Sequence, residues 1–135
     1  KTGINLMKKK ILIVSANYYK DIAKGLISSA IKLIPRTNKI KIIEVPGTFE
    51  IPNVISRNIN KYDAFLALGC VIKGETPHFD FISQASINAI MHLSIISKRP
   101  IGNGIITCFN MSQAKARKIK GAEAAKAVIS ILSSK

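Results

Sequence analysis

The chain has 135 residues, of which 47% are hydrophobic, enough for one globular domain with its own core. No apolar run reaches the about 18 residues of a membrane span, and the start "KTGINLMKKK" lacks the apolar stretch and small-residue cleavage site of a secretory leader. The formal net charge of +14 would suit a polyanionic partner, but the lysines are scattered, arginine is confined to Arg36, Arg57, Arg99 and Arg117, and no helix-turn-helix or aromatic-basic strand accompanies them, so no nucleic acid is expected.

Residues 1–9 read as an N-terminal leader or arm, and 10–135 as a single domain. "KKILIVSA" reads as a buried strand and "NYYK" as a loop. Ile22, Ala23, Leu26, Ile27, Ala30, Ile31 and Ile34 then recur at helical spacing until Pro35 stops the helix. "KIKIIEV" is a second strand, closed by Pro46 and Gly47. "TFEIPNVISRNI" reads as a helix with Pro52 in its first turn. "DAFLALGCVI" is apolar on both faces, as an inner strand of a parallel sheet is. "PHFDFISQASINAIMHLSIISK" is the longest helix, "RPIGNGIITCF" a fourth strand, and "SQAKARK" and "GAEAAKAVISILSS" close the chain as helices.

This alternation predicts an α/β fold: a three-layer sandwich with a central four-stranded parallel sheet flanked by helices on both faces. In such sheets ligands bind beyond the carboxyl ends of the strands, which directs attention to 16–19, 45–50, 71–78 and 107–110. Cys70 and Cys108 end apolar strands and share no metal or disulfide spacing; a reducing, cytoplasmic setting is the simplest expectation.

The strand ends carry the candidate chemistry. In "KGETPHFD", Gly74 permits a sharp turn, Thr76 suits a helix N-cap, Pro77 the first helical position and His78 the first turn. The amides of Glu75 and Thr76 would face an anion at a helix N-terminus, where the dipole favours a neutral, proton-accepting imidazole. Capping alone accounts for Thr76 and Pro77, but not for the histidine. His92, deep in the same helix, reads as an ordinary helix residue. In "VPGTFEIP", Phe49 offers an apolar face and Glu50 a carboxylate able to hold two hydroxyls; Glu is also favoured in any first helical turn. Tyr18 or Tyr19 could stack on a planar heterocycle, or be an ordinary loop aromatic. No phosphate-binding P-loop, dinucleotide fingerprint, metal constellation or serine or cysteine nucleophile motif is present.

"EVPGTFEIP", "YDAFLALGCVIKGETPHFDFI", "PIGNGIIT" and "KGAEAA" occur in the order and spacing of one family. Over residues 10–133 the chain resembles the 6,7-dimethyl-8-ribityllumazine synthases, cytoplasmic transferases of the penultimate step of riboflavin biosynthesis. The resemblance implies condensation of 5-amino-6-(D-ribitylamino)uracil with 3,4-dihydroxy-2-butanone 4-phosphate to 6,7-dimethyl-8-ribityllumazine, phosphate and water, with no cofactor and no metal. It implies that Tyr18 stacks on the pyrimidine, that Thr48, Phe49 and Glu50 hold the ribityl chain, and that Val71 and Ile72 read the ring edge through their backbone. Gly74, Glu75 and Thr76 match the phosphate-binding turn, with Arg117 and Lys120 beside it, and His78 matches the proton-transfer residue. His78 and Arg117 are thus expected to converge on one anion pocket. Family sites lie between the subunits of a homopentamer, and some members assemble twelve pentamers into a capsid. Asn103, carried over as substrate-binding, stands where many members supply a phenylalanine from the adjacent subunit. Only "KI" separates Arg117 from Lys120, where capsid formers carry a longer glycine-rich connection, so a free pentamer is expected rather than a 60-subunit shell. A non-catalytic lumazine-binding protein on this scaffold would keep Tyr18 and Glu50 without needing His78 or Arg117; this chain has all four.

Overall fold

The unbroken apolar run at 64–72 forms the strand at the heart of the sheet. In the computed structural model, which describes residues 8–75 and 78–134, the chain order is β1 (Lys10–Ala16), α1 (Lys20–Leu33), β2 (Lys39–Val45), a 3-10 turn (Thr48–Glu50), α2 (Ile51–Arg57), β3 (Ala64–Ile72), α3 (Phe79–Ser97), β4 (Ile101–Cys108), α4 (Met111–Ala116) and α5 (Lys120–Leu132). The strands are all parallel, in the spatial order β2-β1-β3-β4. This is the expected three-layer α/β sandwich.

Side-chain alternation divides the core between two faces. Ile11 and Ile13 of β1 point to one side, where Leu26 of α1, Ala114 of α4 and Val128 of α5 pack. Leu12 and Val14 point to the other, against Ile51 and Ile55 of α2 and Ile90 of α3. Covered on both faces and paired on both edges, β3 is buried at every residue, so an alternating polar pattern would have cost it core contacts. β2 is an edge strand, and its exposed Lys39 and Lys41 discourage unplanned pairing there.

α1 and α5 cross closely at Gly121, where an added Cβ would run into the carbonyl oxygen of Leu26. The Ser29 hydroxyl ties the crossing by donating to the Lys118 carbonyl at 2.8 Å and accepting from the Ala122 amide at 3.1 Å.

Two boundaries differ from the sequence expectation. The segment 48–59 is a 3-10 turn followed by α2, because the amide of Glu50 bonds back to Gly47 O at 3.1 Å before α-helical bonding begins. Pro52, near the start of α2, needs no intrahelical partner for a missing N–H. The long helix α3 starts at Phe79, with His78 at its N-cap and not within the first turn; Thr76 and Pro77, expected as cap and first helical residue, lie outside the described residues, as do 1–7 of the arm. Lys9 already docks on the domain, its amide donating to Asn38 Oδ1 at 2.9 Å and its carbonyl accepting from Lys39.

The outer surface of α3 remains strongly apolar, with Phe81, Met91, Ile95 and Ile96 all more than half exposed. Among the described residues no helix is long and apolar enough to cross a membrane.

Candidate active site

Beyond the carboxyl ends of β1, β2 and β3 the loops enclose a cleft of about 450 Å³. Tyr18, Thr48, Phe49, Glu50, Val71, Ile72 and Glu75 line it, which brings together most of the residues singled out from the sequence. Tyr19, Gly47, Cys70 and Ile82 complete the lining.

Each wall has a local cause. The first loop continues the ladder past β1, with Asn17 N donating to Val45 O at 2.9 Å, and so lifts Tyr18 clear of the sheet. Tyr18 is 71% exposed, an aromatic face open to the cleft. Tyr19 meets it edge-on, ring centroids 4.9 Å apart and planes at 89°. The 3-10 turn buries Thr48 and leaves Phe49 and Glu50 outward. The buried Ser86 hydroxyl of α3 reaches the Thr48 carbonyl at 3.4 Å, tying this turn to the long helix.

The third wall is the turn after β3. Gly74 has φ +89°, a conformation that L side chains rarely adopt. The Glu75 amide donates to Ile72 O at 3.2 Å. The expectation that this amide would be offered to an anion is therefore corrected: it closes the turn. The Glu75 side chain enters the cleft, where Oε1 accepts a hydrogen bond from the Tyr19 hydroxyl at 2.8 Å.

Burial, then the Glu75 carboxylate, raise the Tyr19 pKa well above the ordinary tyrosine value, so the phenol keeps its proton. Burial, then the neighbouring Cys108, push the Cys70 thiol up to about 12. Cys70 therefore paves the cleft floor as a thiol and offers no thiolate near neutral pH.

The remaining candidates are not among the residues lining this cleft. His78 precedes α3, exposed, its carbonyl accepting from Ile82 N at 2.8 Å. Arg117 follows α4 and folds onto the end of β4: Nη1 donates to the Thr107 carbonyl at 3.0 Å and lies 3.9 Å from Cys108 Sγ. It is not among the residues lining the Tyr18 cleft. Lys120 opens α5 and pairs with Glu123 at 3.5 Å, a surface contact of small energetic weight. Asn103 lies on the edge strand β4 in register with Ala67, its Oδ1 accepting from Ile105 N at 3.0 Å. Within one chain, then, Tyr18, Thr48, Phe49, Glu50, Val71 and Ile72 share one cleft, while Arg117, Lys120 and Asn103 are presented from β4 and the segments after it. His92 lines a separate groove between α2 and α3, with Phe49, Pro52 and Leu93.

Sequence reasoning left Tyr19 as an alternative to Tyr18 and did not single out Gly47, Cys70 or Ile82. The strand-end rule pointed to the first three stretches. Ile82 is reached because α3 turns back over the cleft, and nothing local marks it.

The arrangement can stack a planar ring on Tyr18, hold hydroxyls at Glu50 and place polar backbone at the end of β3 along the ring edge. Comparison with known proteins identifies the family. Residues 8–135 match the family described as 6,7-dimethyl-8-ribityllumazine synthase. The chain is 40% identical to the 6,7-dimethyl-8-ribityllumazine synthase of Methylorubrum populi over 97% of its own length and 85% of that protein. It is 39% identical to the enzyme of the same name from Agrobacterium fabrum, over 94% and 95%. A third relative, 6,7-dimethyl-8-ribityllumazine synthase 1 of Rhodopseudomonas palustris, is 39% identical over 91% and 83%. On this likeness along nearly its whole length, the chain belongs to the 6,7-dimethyl-8-ribityllumazine synthase family.

Proposed function

We infer that the chain condenses 5-amino-6-(D-ribitylamino)uracil with 3,4-dihydroxy-2-butanone 4-phosphate to give 6,7-dimethyl-8-ribityllumazine, phosphate and water. Beyond family membership, the observation that carries this reading is the cleft that gathers Tyr18, Thr48, Phe49, Glu50, Val71 and Ile72 from three strand ends. Tyr18 stacks on the pyrimidine, Glu50 accepts from ribityl hydroxyls, and the backbone at Val71 and Ile72 pairs with the ring edge. His78, exposed at the N-cap of α3, moves protons during Schiff-base formation and phosphate loss. Gly74 and the turn around it, with Arg117 and Lys120, hold the phosphate.

The site is completed between subunits. Arg117, Lys120 and Asn103 sit on or after β4, while Tyr18 and Glu50 come from the β1 and β2 ends, so a neighbouring copy bringing its β4 side to the cleft would unite them. The exposed apolar surface of α3 favours burial against such copies. We take the assembly to be a homopentamer in the cytoplasm. Sedimentation should give a species five times the 14.7 kDa chain; a stable monomer would remove the shared site.

Absorbance and fluorescence of the lumazine, followed with purified protein and both substrates, test the reaction. Binding of the pyrimidine with no rate above the spontaneous condensation would leave only a lumazine-binding protein. Much of the acceleration comes from holding two reactive partners in line. His78→Ala should therefore slow turnover at neutral pH by about tenfold, below the usual general acid–base contribution, with pyrimidine affinity nearly intact. A large affinity loss would make His78 a binding residue instead.

A further inference from the structure

The turn proposed to receive a phosphate contains a carboxylate. With 7 aspartates and glutamates against 21 lysines and arginines, acids are scarce in this chain, yet Glu75 directly follows Gly74. Its backbone is fixed by the bond from its amide to Ile72 O, so only the side chain is free to choose a direction. That direction is set from 56 residues away, by the 2.8 Å hydrogen bond from the Tyr19 hydroxyl. Tyr19 is itself anchored: it is partly buried, packs on the core cluster beneath α1 and meets the Tyr18 ring edge-on.

We propose that Tyr19 is a positioning residue for the phosphate-bearing substrate, its hydroxyl holding the Glu75 carboxylate on the ring side of the cleft and away from the anion-binding turn. The inference rests on the proposed condensation for the identity of that substrate. The phenol stays protonated beside the carboxylate, so it donates throughout the neutral range. Without it, the Glu75 carboxylate is free to pair with Arg117 or Lys120, the cations proposed to hold the phosphate, and so to compete with the incoming dianion. Exposed pairing of this kind weakens phosphate binding up to about fivefold. The neutral phenol thus removes a competitor without supplying a contact to the substrate.

Tyr19→Phe, Glu75→Gln and the double variant test this, with steady-state kinetics for both substrates and calorimetry of inorganic phosphate binding, which needs no turnover. Tyr19→Phe should raise both the KM for the butanone phosphate and the Kd for phosphate about fivefold, and the KM for the pyrimidine by no more than about twofold. Glu75→Gln alone should bind phosphate at least as well as the wild type. Adding Glu75→Gln to Tyr19→Phe should bring phosphate affinity back to within about twofold of the wild type. A double variant as impaired as Tyr19→Phe alone, a Tyr19→Phe protein with wild-type phosphate affinity, or a loss of phosphate binding in Glu75→Gln would each overturn the proposal. A wild type that makes no lumazine would refute the condensation and leave the calorimetric comparison to decide the role of Tyr19.

Discussion

Replacing Arg117 with alanine is expected to raise the KM for the butanone phosphate about a hundredfold while changing that for the pyrimidine little. A guanidinium presents several N–H donors in a rigid plane, and one of them already bonds the Thr107 carbonyl at 3.0 Å. That bond aims the group from the end of β4 and leaves other donors for a phosphate. A hydrogen bond to a charged group contributes about 1.5–3 kcal/mol, and each 1.36 kcal/mol is a factor of about ten, so losing a bidentate contact reaches the hundredfold range. Arg117→Lys should recover only part of the loss, because an ammonium keeps the charge and loses the fork. Arg117 is exposed, so thermal stability should change little. Equal rises in the two KM values would mean that Arg117 does not serve the phosphate.

Why Arg117 stands apart from the Tyr18 cleft within one chain follows from the topology. The cleft lies beyond β2, β1 and β3, whereas β4 is the far edge of the sheet. The short α4, capped by Asn110 Oδ1 accepting from Gln113 N at 2.9 Å, returns the chain over the end of β4 and delivers Arg117 there. The sequence carries the spacing from strand to arginine but not the strand order.

The architecture was legible where one physical demand dominates. The run 64–72 is apolar at every position, and an inner parallel strand needs that. The spacing of Ile22, Ala23, Leu26 and Ala30 marks the buried stripe of α1. Legibility fails where two local structures satisfy the same residues. Pro52 is acceptable near the start of either a longer helix or α2, so the 3-10 turn before it left no signature. Within the site, chain-order rules found Tyr18, 48–50 and 71–72. The Tyr19–Glu75 bond joins loops 56 residues apart, and its only trace was a second tyrosine with no assigned task.

Gly121→Ala should destabilise the fold by about 2–4 kcal/mol. A Cβ there would collide with the Leu26 carbonyl oxygen and lie 2.6 Å from Ser29 Oγ and 2.8 Å from Leu26 C. Two of these three atoms are backbone, which no rotamer change can move. The helices must part, and overpacking of this kind costs about 1–3 kcal/mol. Separation also stretches the Ser29 bonds to Lys118 O and Ala122 N, each worth about 1 kcal/mol. Ala124, Ala125 and Val128 of α5 lie in the core cluster with Leu26, so the shift reaches the sheet. Alanine is otherwise the better helix former by about 1 kcal/mol, and that gain is included in both bounds. Urea midpoints compared at equal protein concentration, since assembly contributes to apparent stability, read the effect directly. An unchanged or higher midpoint would show that α1 and α5 can separate at no cost, and that their close crossing does not hold the α5 side of the core together.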